Sequence, residues 1–517
     1  MANTQLFANQ RGRMAPQTNA SNEADGVAYQ RPAEAALAVY AATGCLNGTF
    51  YSDAAMQLKQ VLGLCEAVSP EYVARTALYA RKTAYMKDMP ALLLAHLAAR
   101  DGDLLSKVFD RVIDNGRMLR NFVQIVRSGV VGRKSLGTRP KRLIQRWLEH
   151  ASIDAVMSAA IGEKPSLADV IRMVHPKPAD AEREALYAWL IGKPYRDEAL
   201  PTKVRELETF KKEQGEIVPD LPFQYLTALP LKVQHWKDIA SRASWQATRM
   251  NLNTFARHGV FQDAALTERT AGRLRDAEAI QRARVFPYQL MTAYRASSTA
   301  IPSAIVDALQ DAMEVATRNV PKVHGKVVVA VDVSGSMQSP VTGFRRGATS
   351  VVRCIEVAAL IAACLKRVNV DARVIPFAES VRKCRLNPRD SVMTQAQQLV
   401  NLMGGGTNVS APLVLLNKER SEVDLLVLVS DNQSWVDTRI NGGTETMRQW
   451  EELKLRNPNA RMVCIDLQPY MTSQTVESTD VLHIGGFSDA VFDLLARVAS
   501  GGTGDTHWVE RIQAIAL

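Results

Sequence analysis

Cysteine is scarce in this 517-residue chain: there are six, at Cys45, Cys65, Cys354, Cys364, Cys384 and Cys464. None forms a CxxC pair or has a histidine at ligand spacing, which excludes a disulfide scaffold or zinc site and suits reduced thiols in a cytosol. Long apolar runs are also missing. The best candidate, around Val357–Leu365, is far shorter than the roughly 20 residues of a bilayer helix. Met1 to Gln30 is polar and lacks the apolar core of a secretory signal. There is no acidic excess either, since 63 Lys+Arg stand against 53 Asp+Glu, a formal charge of +10. The expectation is a cytoplasmic protein with no membrane association.

What is present is an ordinary soluble composition, 47% apolar and 22% charged, in a chain too long for one core. From residue 322 onward 21 Lys+Arg nearly balance 20 Asp+Glu, whereas 42 face 33 before that point. The basic surplus therefore lies in the N-terminal part and is compatible with a polyanionic partner. Residues 1–28, rich in Asn, Gln, Ser and Ala, read as a flexible tail. Residues 29–321 read as successive helices. Tyr72–Ala84, Met89–Arg100, Leu104–Asp114, Met118–Arg127 and Lys141–His150 each carry apolar residues at three-and-four spacing. Such a run stacks as antiparallel pairs in a solenoid, bundle or ring, although no clean repeat period is visible.

The pattern changes at Lys322. Lys326–Val333 is a β-branched run of the kind buried on both faces of a sheet. Strands at Ala372–Phe377, Asp424–Ser430, Arg461–Leu467 and Val481–Ile484 alternate with helices at Val351–Arg367, Thr394–Met403, Ala411–Asn417, Glu445–Arg456 and Asp489–Ser500. This alternation predicts an α/β doubly wound parallel sheet over residues 322–517.

At the end of the first of these strands stands Asp332-Val-Ser334-Gly-Ser336, at the sheet edge where α/β folds bind ligands. The loop Met403-Gly-Gly-Gly-Thr407 and the strand end Ser430-Asp431 offer further oxygens. Asp332, Ser334, Ser336, Thr407 and Asp431 are hard donors, suited to a divalent cation, Mg2+ first and Mn2+ or Ca2+ next. Water and a partner's carboxylate would complete the shell. Taken alone, Asp-x-Ser-x-Ser is also an ordinary capping turn.

With VDVSGSM, the GGGT loop and the strand ending in SD, residues 322–500 resemble the von Willebrand factor A fold and its metal-ion-dependent adhesion site. The resemblance implies a cation used for ligand binding rather than catalysis. More specifically, Ser430-Asp431-Asn432-Gln433-Ser434-Trp435, Gly485-Gly486-Phe487-Ser488-Asp489 and Asp169-Val-Ile-Arg172-Met-Val-His175-Pro176-Lys177-Pro178 resemble the Ro autoantigen family. Weaker matches lie at Ser135-Leu-Gly137 and Arg284-Val-Phe-Pro287-Tyr288-Gln289. Together they span residues 30–500. In that family a HEAT-like helical ring, the TROVE module, precedes the A domain. The resemblance implies binding of small noncoding Y-like RNA on the ring and of single-stranded 3′ ends of misfolded RNA through it. It also implies a role in RNA quality control, with an exoribonuclease as a partner. Two departures stand out: Arg249-Met250-Asn251-Leu252 displaces an arginine by one position, and Asn408 replaces an aspartate.

The residues themselves offer phosphate ligands. Arg117, Arg120, Arg127, Arg133, Lys134, Arg139, Lys141 and Arg142 lie in one window opposed by Asp114 alone, although a solvated helical face would look the same. With the resemblance, His175 and Lys177 are candidate RNA contacts, and Arg249, Arg257, Arg282 and Arg284 form a second basic group. Trp236 and Trp245 read as core. The leading reading is a monomeric, non-catalytic RNA chaperone or scaffold. One rival is a metal-dependent protein-binding module of an ATPase-linked assembly without RNA. A metal-dependent nuclease is disfavoured, because the site offers hydroxyls where paired metals need clustered carboxylates.

Overall fold

The computed structural model describes residues 15–44, 46–162, 164–213, 215, 218–221, 225–226, 229–283, 285, 287–344, 352–435, 443–486, 490–499 and 508–517. Its strands are β1 (Ala20–Ser21), β2 (Val27–Gln30), β3 (Val327–Asp332), β4 (Arg373–Phe377), β5 (Leu425–Ser430), β6 (Arg461–Asp466), β7 (Thr472–Ser473) and β8 (Val481–Gly485). By its contacts the chain divides into two units. One comprises 1–68, 275–296 and 309–515; the other comprises 69–274, 297–308 and 516–517.

In the first unit five strands pair in the order β4-β3-β5-β6-β8, all parallel. Every residue of β3 and β5 is buried, as their unbroken apolar runs require. Successive side chains alternate between faces. Val328, Ala330, Leu426, Leu428, Met462 and Cys464 share one cluster with fully buried Trp450 from the helix Glu445–Arg456. The helix Cys354–Val368 also packs on β3. From β3 the chain runs to β4 on one side and later returns to β5 on the other. The crevice beyond the carboxyl ends of β3 and β5 is therefore the switch point where such sheets bind ligands.

The expected boundaries differ from this division. The expected flexible tail over 1–28 lies outside the described residues for 1–14, and over its described part β1 and β2 form an antiparallel pair, β2 continuing onto β7 with Tyr29 opposite Ser473. The helix Ala33–Thr43, buried from Ala35 onward, packs on β8 and on the helix Ala54–Ala67 and belongs to this first unit, not to the helical one. Its approach explains Gly485: a Cβ there would stand 3.0 Å from the Val39 Cα and 2.7 Å from the Trp508 ring.

Arg31, just beyond β2, is buried. It pairs with Asp466 at 2.8 Å and donates to His483 Nδ1 at 2.7 Å and to the Thr472 carbonyl at 3.2 Å. Because arginine is only a donor, the histidine proton sits on Nε2 and faces Thr475 Oγ1 at 2.7 Å. Burial first, and then Arg31, hold His483 well below 6.5. A depressed histidine leaves the unfolded chain binding the extra proton, so its contribution is fully present above pH 6.5 and lost as pH falls below it. Denaturant unfolding should lose about 1 kcal/mol between pH 6.5 and 5.5 from this group. A His483→Gln protein should lose that slope. Asp466, raised chiefly by burial, has the opposite sign, its contribution being lost as pH rises through its folded value.

The second unit is helical among its described residues. Pro70–Lys82, Asp88–Arg100, Gly102–Val112, Gly116–Ser128 and Thr138–His150 pack against their near neighbours in sequence, with Phe109 and Phe122 edge-to-face at 5.3 Å. Their starts follow from capping chemistry. Ser69 accepts from Tyr72 N, Asn115 from Met118 N, and Ser166 with Asp169 forms a reciprocal box. Trp236 and Trp245 are buried, as read from sequence. Among the described residues no helix is long and apolar enough to cross a membrane.

Candidate metal centre and basic surface

At the switch point, Asp332 ends β3 and the chain turns immediately. Ser334 N donates to Asp332 Oδ1 at 2.8 Å, and Ser430 Oγ donates to Asp332 Oδ2 at 2.5 Å. The Ser334 and Ser336 hydroxyls lie 3.2 Å apart. The glycine loop is tied to this turn by two backbone bonds, Gly404 N to Val333 O at 2.8 Å and Gly335 N to Gly405 O at 3.0 Å. Gly404 and Gly405 adopt φ of 141° and 89°, which side-chain-bearing residues rarely do. The Thr407 carbonyl accepts from Ser434 Oγ at 3.2 Å, joining this loop to the one after β5. The Asn408 side chain accepts from Ser410 Oγ at 2.7 Å and donates to the Glu379 carbonyl, on the loop after β4, at 3.2 Å.

All five expected metal donors are buried in the same unit. Asp431 Oδ1 accepts from Gln433 N at 3.4 Å, while Oδ2 is buried with no hydrogen-bond partner. Burial and the neighbouring Asp332 carboxylate push Asp431 up to about 7, against the Ser336 hydroxyl; burial raises Asp332 as well. Two buried carboxylates that repel each other, with one oxygen unsatisfied, form a site that a hard cation would neutralise. Among the described residues no three His, Cys, Asp or Glu side chains gather as a metal-holding group, so hydroxyls would have to supply much of such a shell.

Sequence reasoning missed the surroundings. Burial first, then the Asp431 and Asp332 carboxylates, push the Tyr51 phenol up to about 12, and burial with Asp431 raises Tyr470. The loop carrying Asp431 is braced by the segment expected to be a tail. Asn22 Nδ2 donates to the Ser434 carbonyl at 2.6 Å, Glu23 N donates to Gln433 Oε1 at 3.0 Å, and Asn432 Nδ2 donates to Asp466 Oδ1 at 2.9 Å. Asn22 and Glu23 lie 412 and 410 residues from their partners, a separation that leaves no local pattern to read.

The basic window divides by role. Arg120 donates to the Ile161 carbonyl at 2.6 Å, and Arg133 donates to the carbonyls of Ala98, Ser135 and Leu136. Both guanidiniums hold loops together, and the loop around Arg133 is folded onto its own arginine. Arg139 pairs with Asp103 at 3.0 Å, and Asp114 is held by Arg81 at 2.8 Å. Arg117, Arg127, Lys134, Lys141 and Arg142 are exposed. His175 terminates the helix Leu167–Val174 in a left-handed conformation (φ 50°), with its N–H on the Ile171 carbonyl and its side chain exposed. Together with Arg172, Tyr187, Tyr195 and Arg196 it lines a cavity of about 930 Å³. Lys177 is exposed beside it.

The second basic group is not gathered by one unit. Arg249, half-buried, and exposed Arg257 belong to the helical unit, and exposed Arg282 to the other. Arg284 lies outside the described residues. His258 stacks on Trp236 at 3.9 Å.

Residues 326–499 match the family model described as the Ro60 vWA domain. The chain is similar to the RNA-binding protein RO60 of Deinococcus radiodurans, 26% identical over 93% of this chain and 95% of that protein. It is also similar to the RNA-binding protein RO60 of Caenorhabditis elegans, 25% identical over 44% of this chain and 36% of that one. The crystal structure of the Deinococcus radiodurans RO (RSR) protein superposes with a TM-score of 0.64 at 21% identity, covering 91% of this chain and all of that one. The fold, a helical region followed by a vWA-like domain, is shared with that structure.

Proposed function

We propose, for a chain whose residues 326–499 are a Ro60-type vWA domain, that it is an RNA-binding protein acting as a non-catalytic chaperone or scaffold. The observation that carries this reading is the exposed cationic set Arg117, Arg127, Lys134, Lys141, Arg142 and Lys177 on the helical unit that also carries the cleft lined by His175. It is supported by similarity over almost the whole chain to a protein named for RNA binding. Cations on rigid helices neutralise phosphates, while exposed aromatic and imidazole rings stack on unpaired bases. The RNA ligands on this reading are small structured Y-like RNAs and single-stranded 3′ ends. The setting is RNA quality control in the cytoplasm, with the protein a monomer and an exoribonuclease as a partner. Filter binding of a 3′-tailed structured RNA should give tight binding that weakens steeply with salt. Micromolar affinity indifferent to salt would refute the reading.

On the same reading the vWA domain holds a divalent cation, Mg2+ first, through Asp332, Ser334, Ser336, Thr407 and Asp431, and presents it to a carboxylate on a protein partner. The cation supplies a positive centre for that carboxylate. The protein's part is to hold the oxygens in place and exclude competing water. Saturating Mg2+, at about 100 times its dissociation constant, should stabilise the wild type by about 2.7 kcal/mol. In thermal melts Asp431→Ala should abolish this gain. A wild type indifferent to Mg2+ and Mn2+ would contradict the metal assignment and leave the RNA assignment standing.

A further inference from the structure

Four of the 21 Lys+Arg beyond residue 322 fall within eight positions on the loop that follows β4: Arg382, Lys383, Arg385 and Arg389. Residues 378–389 set one carboxylate against them, Glu379. Such a cluster stands out in a domain whose charges otherwise nearly cancel. The loop is bonded directly to the segments that carry the metal donors. Val333 N donates to the Phe377 carbonyl at 2.8 Å, and Asn408 N donates to the Ala378 carbonyl at 2.9 Å. Gly406 N donates to Glu379 Oε1 at 3.0 Å, so the loop's carboxylate is engaged by the glycine loop. Arg382 is half-buried, and its guanidinium lies over that same loop: a Cβ on Gly405 would stand 3.2 Å from Arg382 Nη2. The Gly405 carbonyl in turn accepts from Gly335 N, between Ser334 and Ser336.

Arg382 Nε is buried and has no hydrogen-bond partner. Among the described residues no carboxylate or carbonyl pairs with the side chain of Arg382, Lys383 or Arg385, and the last two are exposed. Buried donors are ordinarily satisfied, and a guanidinium offers donors alone, so the partner that fits it is an anion. We infer that Arg382, Lys383 and Arg385 form an anion-docking rim beside the metal site, and that the partner this rim fits is an acidic protein segment. One carboxylate of that segment reaches the cation while its neighbours meet the rim. The inference rests on the proposed metal reading. Because the donor oxygens are buried, with Asp431 only 1% exposed, a partner meets the rim before it meets the cation. Exposed charges of one sign steer an oppositely charged segment and reject a cationic one. Arg382 adds direction, since a guanidinium can hold both oxygens of one carboxylate. RNA is also anionic, but residues 378–389 contain no Phe, Tyr, Trp or His, the rings on which unpaired bases stack. A run of carboxylates needs no such ring.

The test uses fluorescein-labelled hexa-aspartate as the probe on the full chain, with labelled hexa-uridine RNA as the comparison. Wild type is set beside Asp431→Ala and a triple variant, Arg382→Gln with Lys383→Gln and Arg385→Gln. Thermal melts with and without Mg2+ report whether each protein is folded and holds its cation. In Mg2+ the triple variant should bind hexa-aspartate about tenfold more weakly than wild type, the combined effect of three partly exposed charge pairs. Its stabilisation by Mg2+ should persist, and added salt should narrow the difference in peptide affinity. Equal peptide affinities in wild type and the triple variant, or no peptide binding by wild type, overturn the rim while the metal site stands. Hexa-uridine that binds more tightly than hexa-aspartate and is lost with the same three cations also overturns it, making the surface one for nucleic acid. If the wild-type melt is as indifferent to Mg2+ as that of Asp431→Ala, the metal reading falls and the acidic partner falls with it.

Discussion

Replacing Arg127, Lys134, Lys141, Arg142 and Lys177 together by alanine will lower affinity for structured RNA on the order of 100-fold at about 150 mM salt, without unfolding the protein. The set follows from what each side chain touches. Arg120 and Arg133 stay in place because they bind the carbonyls of Ile161, Ala98, Ser135 and Leu136; removing them would loosen the helical unit and mimic a binding defect. Arg139 stays as well, because Asp103 already opposes it. The five chosen groups are exposed, so their loss removes charge with little packing, and surface substitutions of that kind change stability by about 0.5 kcal/mol or less each. Filter binding measures the affinity, and thermal melting checks the fold. A variant that melts normally and binds like wild type places the RNA elsewhere.

The second large effect is on stability. Arg31→Ala strips Asp466 of its 2.8 Å partner inside a fully buried cluster and removes the donor to His483. Breaking such a pair from one side costs about 3–5 kcal/mol, because a charge is left buried and uncompensated. The melting temperature of the vWA-containing unit should fall on the order of 10 °C. An Arg31→Met, Asp466→Leu double variant should recover much of that loss. The substitution also removes the Arg31 side-chain bond to the Thr472 carbonyl of β7, one tie between β2 and β7, while the main-chain bond to Met471 remains. Mg2+ stabilisation should therefore weaken in the same protein. A melt within a degree or two of wild type would show that Asp466 is solvated or protonated in the folded chain.

What could be read from sequence was whatever repeats along it. Continuous β-branched runs revealed β3 and β5, and three-and-four spacing revealed helices such as Asp88–Arg100, because burial imposes those periods locally. Asp332, Ser334 and Ser336 were legible for a related reason: they fall within a few residues of a recognisable strand end. β1 and β2 were not, being two and four residues long and set among Asn, Ser and Gln. Their pairing depends on Thr472 and Ser473, about 440 positions away. Tyr51, whose phenol feels Asp431 and Asp332, was invisible for the same reason. The charge window misled in another way. Arg120 and Arg133 look like Arg127 and Lys134 in sequence, and only the loop carbonyls around them distinguish a staple from a free cation. Asp103 and Asp110, just before the window, reach into it through Arg139 and Arg146.

The most direct test of the RNA assignment is the slope of log affinity against log salt for a structured RNA, measured on wild type and on the five-residue variant. Each phosphate contact contributes about 0.7–0.9 to that slope. Five lost contacts should make the variant's slope shallower by about four, while Asp332→Ala keeps the wild-type slope. Equal slopes in wild type and the five-residue variant would contradict the account, because these cations would then not be the ones that meet the phosphates.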